Sequence, residues 1–232
     1  MMGFVYIVGA GPGDPELITL RGLKALEKAD VILYDALIDE RIFELVDCKN
    51  KELVYAGKRK GDGNGGKRQK EINEMMKKYA LEGKTVARLK GGDPGIFGRL
   101  ADEIAFLKVN RIPFEIIPGV SSLNGVPASA GIPLTAKGIS SLTVLSGRED
   151  FGIEAILEGT FVVMMGRDSI QSVARRMIEI GISPDKPAVA IENGTLKTQR
   201  VVKGKLKNIG EKMNDFKGPV LFIVGDVADR LP

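Results

Sequence analysis

The chain has 232 residues, 34 basic against 30 acidic side chains for a formal net charge of +4, 44% hydrophobic residues, and neither histidine nor tryptophan. A single cysteine excludes an internal disulfide framework and every multi-cysteine metal site, and the missing imidazole excludes Ser-His, Cys-His and zinc-hydrolase chemistry. No apolar run reaches the roughly 18 residues of a bilayer span, and the amino terminus enters a strand-like run without a cleavable signal pattern. The expectation is a soluble, cytoplasmic protein whose chemistry rests on Asp, Glu, Lys, Tyr or backbone groups, alone or with a bound cofactor.

Taken in order, β-branched runs at 4–8, 31–34, 52–56, 85–89 and 114–117 predict strands, with helical periodicity between most of them, which is α/β order. Asp14 followed by Pro15 predicts an N-cap, and Leu17, Leu20, Leu23 and Leu26 continue one apolar face to before Val31. Further helices are predicted over 68–81, stopped at Gly83, and over 98–109. Pro118-Gly119 closes the fifth strand, and the small-residue stretch 120–134, interrupted by Pro127, Gly131 and Pro133, predicts a connection. Beyond it come strands at 142–145, 161–164, 188–191, 200–202 and 220–224 and a helix near 170–180. Two α/β lobes, 1–118 and 119–232, are expected to meet at a crevice.

Two glycine loops follow strands. Gly9-Ala10-Gly11-Pro12-Gly13-Asp14 opens a helix, but its third glycine comes one residue too early for the G-x-G-x-x-G dinucleotide fingerprint. Arg88-Leu89-Lys90-Gly91-Gly92-Asp93-Pro94-Gly95 leaves backbone groups accessible and offers the Asp93 carboxylate to ribose hydroxyls or a cationic group; an ordinary turn before Pro94 is the alternative. The stretch 58–70 holds six basic residues against one acidic one, so the excess positive charge is local.

These loops occur together with Leu33-Tyr34-Asp35, Gly57-Lys58-Arg59, Pro118-Gly119-Val120-Ser121-Ser122, Gly131-Ile132-Pro133-Leu134-Thr135, Met164-Met165-Gly166, Glu192-Asn193-Gly194-Thr195 and Gly225-Asp226-Val227. In that order they resemble the tetrapyrrole (precorrin) methyltransferases across essentially the whole chain, and among them the uroporphyrinogen-III C-methyltransferases. The resemblance implies a homodimer of two α/β/α lobes with a cofactor cleft between them, unlike Rossmann-type methyltransferases. It implies a donor, S-adenosyl-L-methionine, leaving as S-adenosyl-L-homocysteine, and methylation of uroporphyrinogen III at C2 and C7 to precorrin-2, a precursor of sirohaem and cobalamin.

Carried over residue by residue, the resemblance places cofactor contacts on Pro12, Gly91, Gly92, Asp93, Ile96, Ser121, Ser122, Met165 and Gly194. It assigns Asp35 as proton acceptor and Lys58 as proton donor. A cap for the segment 36–45 is the plainer role for Asp35, and core packing the plainer role for Met165. An octacarboxylate substrate would be drawn to the basic stretch, with Arg59, Arg88, Lys90 and Arg99 expected to pair with its acetate and propionate arms. Where several relatives carry histidine, this chain has Ala136-Lys137 and Ser146-Gly147-Arg148, and 98–103 reads Gly98-Arg99-Leu100-Ala101-Asp102-Glu103 instead of a more glycine-rich, doubly acidic form.

Three other readings stay open at this stage. One is a methyltransferase for a later precorrin, or a relative of the diphthine-forming enzyme. Another is a polyanion-binding protein without catalysis, against which stand the 6% aromatic content and the absence of aromatics interleaved in the basic stretch, so nucleic acid is not expected as a partner. The last is a nucleotide-dependent oxidoreductase, which lacks the dinucleotide spacing.

Overall fold

The computed structural model describes residues 1–57, 65–148 and 158–229. The chain divides into two compact units, Met1–Ser121 and Ser122–Pro232.

In the first unit, β1 (Phe4–Gly9), β2 (Val31–Tyr34), β3 (Glu52–Tyr55), β4 (Thr85–Lys90) and β5 (Phe114–Ile117) form one sheet in the order β3-β2-β4-β1-β5. Every pairing is parallel, so all five strands end on one edge. The central strands are buried on both faces, as parallel strands covered by crossover helices must be. Val5, Ile7, Leu33 and Val86 pack against Ile72 and Met76 of α2 (Gly65–Leu81) and Leu107 of α3 (Leu100–Val109). The opposite face, with Val8, Ile32 and Leu89, packs against Ala25 and Leu26 of α1 (Leu20–Lys28) and Ile42 of the 3-10 stretch Glu40–Leu45.

The helix expected from Asp14 starts later. Asp14 accepts the amide of Glu16 at 3.0 Å and closes only a 3-10 turn, Pro15–Leu17, after which Ile18 is extended. Thr19 is the true N-cap of α1: its Oγ1 accepts the amide of Gly22 at 3.0 Å, three residues on, which is the spacing that satisfies a helical amide. At the other end of α1, Lys51 Nζ reaches across from the loop before β3 to the carbonyls of Glu27 (2.6 Å) and Ala29 (2.8 Å). A cation on orphan carbonyls at a helix C-terminus is stabilising. Lys51→Met is therefore expected to lower the free energy of unfolding by about 1 kcal/mol, read as a shift in the urea midpoint; no shift would show that water replaces the ammonium without cost.

In the second unit, β6 (Leu142–Ser146), β7 (Thr160–Met164), β8 (Pro187–Glu192), β9 (Arg200–Lys205) and β10 (Val220–Val224) form a mixed sheet, β6-β7-β10-β8-β9. Only β6 and β7 pair in parallel. Because β7 and β8 both run antiparallel to β10, they leave the sheet at the same edge. Val173 and Met177 of α5 (Ile170–Glu179) cover one face against Phe161 and Phe222. Val126 of α4 (Ser122–Ser129) covers the other against Val162 and Val189.

α4 corrects the expectation of an irregular connection. Pro127 lies inside it with its ring buried, and in an eight-residue helix the missing amide removes one internal bond while Val126 and Pro127 gain apolar burial. Among the described residues, no helix is long and apolar enough to cross a membrane.

Candidate active site at the strand ends

The parallel order of the first sheet gathers the sequence motifs. Asp35 follows β2, Gly91-Gly92-Asp93 follows β4, Ala10-Gly11-Pro12 follows β1 and Pro118-Gly119 follows β5, all on the carboxyl edge, where open α/β sheets place ligands. The two glycine loops are joined to each other. Gly11 and Gly92, both at positive φ, exchange main-chain hydrogen bonds of 3.3 and 2.7 Å. Pro12 and Gly91 are half-buried beside this bridge, and Ile96 is exposed.

Asp93 is more than the ordinary turn residue that was its alternative. One carboxylate oxygen accepts the amide of Gly95 at 2.7 Å, a turn contact, but the other accepts the amide of Gly119 at 3.0 Å. Its side chain therefore ties the β4 turn to the β5 turn. Ser121 and Ser122, half-buried, continue from that second turn, and Ser122 begins α4.

Asp35 does part of what its plainer role required and more. Its Oδ1 accepts the amide of Leu37 at 3.1 Å, which fixes the carboxylate orientation, while Oδ2 faces Arg88 at 3.4 Å. The side chain keeps 24% of its surface exposed. Lys58 and Arg59 lie outside the described residues.

Arg88 and Lys90 depart from the expectation that they meet substrate carboxylates at the surface. They occupy alternate positions of β4 on the face covered by α2 and α3, and are only 3% and 4% exposed. Both are paired with Glu103 of α3, itself fully buried, at 3.3 and 2.8 Å. Gln69 of α2 donates to the same carboxylate at 3.2 Å and to Asn73 at 3.0 Å. Burial pushes the Lys90 ammonium below its usual range, against the upward pull of Glu103. A cation in the interior is tolerated only with a partner, and here the partner is internal. Arg99 does remain at the surface, in left-handed backbone (φ 57°), paired with Asp102 at 2.9 Å.

In the second unit, Met165 immediately follows β7 and is half-buried, with φ 58°; Asn193 and Thr195, which flank Gly194 beyond β8, have φ 49° and 71°. Three non-glycine residues in left-handed backbone at one sheet edge cost about 1–3 kcal/mol each, and such strain concentrates at ligand clamps. Gly194 is buried under Val126 of α4, where a Cβ would come within 2.3 Å of a valine methyl. Beneath this turn lies Glu192, 3% exposed, which accepts the amides of Lys217 (2.5 Å) and Gly218 (2.6 Å) and pairs with Arg200 at 3.3 Å. Sequence reasoning singled out neither Glu192 nor Glu103 for a role. For Glu103 a signal was present: two cations at i and i+2 in a strand buried on both faces require an anion on the covering helix.

The chain is similar along its length to proteins of one family. The chain is 42% identical over 242 residues to a uroporphyrinogen-III C-methyltransferase of Methanocaldococcus jannaschii, spanning 100% of this chain and 99% of that one. It is 39% identical to a siroheme synthase of Saccharophagus degradans, of which it spans about half (51%), and 38% identical to a chloroplastic S-adenosyl-L-methionine-dependent uroporphyrinogen III methyltransferase of Arabidopsis thaliana, of which it spans 65%. Among solved structures, the Thermus thermophilus uroporphyrin-III C-methyltransferase complexed with S-adenosylhomocysteine superposes with a TM-score of 0.85 at 35% identity, covering 99% of this chain and 100% of that one. A cobalt-precorrin-4 methyltransferase superposes at 0.83 with 28% identity, covering 97% of this chain and 96% of that one. The family model for tetrapyrrole (corrin/porphyrin) methylases matches residues 5–210, taking in the first sheet from Val5 onward and β6 to β9 of the second, with β10 beyond it, and the chain belongs to that family.

Proposed function

We propose that the protein is an S-adenosylmethionine-dependent C-methyltransferase that converts uroporphyrinogen III to precorrin-2 by successive methylation at C2 and C7. The end-to-end match to a uroporphyrinogen-III C-methyltransferase carries the reading, and the convergence of Asp35 with both glycine loops on one sheet edge supports it.

The residues present fit the donor. A sulfonium amino acid linked to a nucleoside presents a carboxylate, an ammonium, a ribose diol and an adenine, all of which main-chain groups and carboxylates can recognise. Turns of that kind are what the two units offer: Pro12, Gly91, Gly92, Asp93 and Ile96 with Ser121 in the first, Ser122, Met165 and Gly194 in the second. The strained backbone at Met165 and around Gly194 supports their assignment as donor contacts.

When bound, the donor supplies an electrophilic methyl group on sulfur, and no metal is required for its transfer. The protein's share is to orient, to exclude water and to move a proton. A reduced pyrrole is electron-rich at carbon, so forming the new carbon–methyl bond leaves a ring system that must release one proton. Asp35 Oδ2 accepts it: the opposite oxygen is held by the Leu37 amide, and the side chain is open enough to meet a large substrate. Lys58 is assigned as the proton donor. Arg99 and the basic stretch 58–70, rather than the enclosed Arg88 and Lys90, attract the carboxylate arms. The homodimer and the cytoplasmic setting belong to the same proposal; sedimentation of the purified protein checks the former.

Incubation with uroporphyrinogen III and the donor should add two methyl groups by mass, and none would sink the substrate assignment. A gain only with a later precorrin would transfer the activity along the same class of chemistry. S-adenosylhomocysteine at a hundred times its Kd should stabilise the protein by about 2.7 kcal/mol, seen as a raised Tm, whereas NAD and duplex DNA should leave Tm unchanged.

A further inference from the structure

Nothing in the account of methyl transfer uses Glu103, yet it is the most enclosed charge in the first unit's ion cluster. Its Oε1 accepts from Arg88 Nε (3.3 Å) and Gln69 Nε2 (3.2 Å), and its Oε2 from Lys90 Nζ (2.8 Å), so β4, α2 and α3 meet on one carboxylate. Such a cluster is poorly explained by stability, because well-packed apolar residues in place of a buried ion group are often as stable or more so.

Arg88 connects this cluster to the rim. One terminal nitrogen donates to the carbonyls of Leu89 (3.0 Å) and Leu33 (3.4 Å), its Nε points inward to Glu103, and only its remaining nitrogen faces Asp35. At 3.4 Å to Asp35 and 3.3 Å to Glu103, both carboxylate contacts of Arg88 are longer than the roughly 2.7–2.9 Å of a full charge-assisted bond, so the guanidinium is shared between the two carboxylates and closes fully on neither. A carboxylate clamped tightly by guanidinium is a poor proton acceptor, because protonation must break the ion pair.

We propose that Glu103 is a positioning residue for Asp35: by drawing Arg88 and Lys90 inward, it keeps the Arg88–Asp35 contact long enough to orient Oδ2 without consuming it. The proposal rests on Asp35 being the proton acceptor. The cluster of Arg88, Lys90, Glu103 and Asp35 is neutral as a whole. Glu103→Gln would leave two cations facing one carboxylate, and Arg88, released at Nε, would close on Asp35.

The test compares Glu103→Gln, Asp35→Asn and the double variant for kcat, KM for uroporphyrinogen III, Kd for S-adenosylhomocysteine and Tm. Glu103→Gln is expected to lower kcat by about 10- to 100-fold, with KM and Kd within about twofold of the parent. Added to Asp35→Asn it should cost nothing further in kcat, since it acts through Asp35. Unchanged kcat in Glu103→Gln, or a double variant that loses the product of the two single effects, overturns the proposal while leaving Asp35 as acceptor. Full turnover in Asp35→Asn overturns both. Should Glu103→Gln not fold, Lys90→Met/Glu103→Gln keeps the buried charge balanced and carries the same comparison, because Arg88 still loses its inward anchor; unchanged kcat there overturns the proposal equally.

Discussion

Gly9→Ala is expected to cost more than about 4 kcal/mol and to leave the first unit largely unfolded. A Cβ at this position would lie 2.5 Å from the Gly119 nitrogen, 2.7 Å from the Gly119 Cα and 2.7 Å from the Gly92 oxygen. All three are main-chain atoms, so no rotamer change relieves the clash. The approach is mutual: a Cβ on Gly119 would lie 2.4 Å from the Gly92 oxygen. β1 is flanked by β4 and β5, and the turns that follow these three strands touch through bare backbone, which brings the expected donor turns together. Relief requires the turns to separate, which breaks the Asp93–Gly119 hydrogen bond and strains the Gly11–Gly92 bridge. Gly138→Ala is the control. Its φ of 84° disfavours a side chain, but nothing lies within 4 Å, so the loss should be only about 1–2 kcal/mol. Circular dichroism and denaturation midpoints on both variants check the contrast; a wild-type midpoint for Gly9→Ala would show that the packed turns yield easily.

How much of this was legible beforehand varied with the physics behind each signal. Strands of the first sheet stand out because β-branched runs are separated by amphipathic helices, and right-handed parallel crossovers then put every carboxyl end on one edge. Hence Asp35 and the glycine loops could be grouped from order alone. In the second sheet, β10 is buried along its whole length, and a run such as Val220–Val224 carries no alternation to reveal which neighbours it pairs with or in which direction. Asp14-Pro15 imitated a helix start because a carboxylate accepting an amide two residues on looks, in sequence, like one accepting three residues on. Pro127 hid α4, since proline argues against a helix interior unless burial outweighs one lost bond. Arg88 and Lys90 mislead for a different reason: a charge in a sequence suggests the surface, and only three-dimensional pairing with Glu103 and Gln69 shows a buried network. Met165 and Thr195 carry no local hint of left-handed backbone, which arises where β7 and β8 leave the sheet.

Asp93→Ala and Asp35→Asn are expected to separate donor binding from turnover. Removing the Asp93 carboxylate abandons two amides, the exposed one of Gly95 and the part-buried one of Gly119, and each such hydrogen bond contributes about 0.5–1.5 kcal/mol. Both amides belong to turns assigned to the donor, so their displacement should weaken S-adenosylhomocysteine by about 10-fold or more, together with a modest fall in Tm. Asp35→Asn leaves those turns intact. Its amide oxygen can still accept from Leu37, but the amide cannot take a proton, and placing its NH2 toward Arg88 sets donor against donor. Loss of a general base lowers the rate by about 10²–10⁴-fold, so kcat should fall by that order while the Kd for S-adenosylhomocysteine stays within about twofold. Calorimetry with S-adenosylhomocysteine and single-turnover methylation on the two variants read the two effects separately. Equal losses of donor affinity in both would place Asp35 in the donor site and leave the proton without its assigned acceptor.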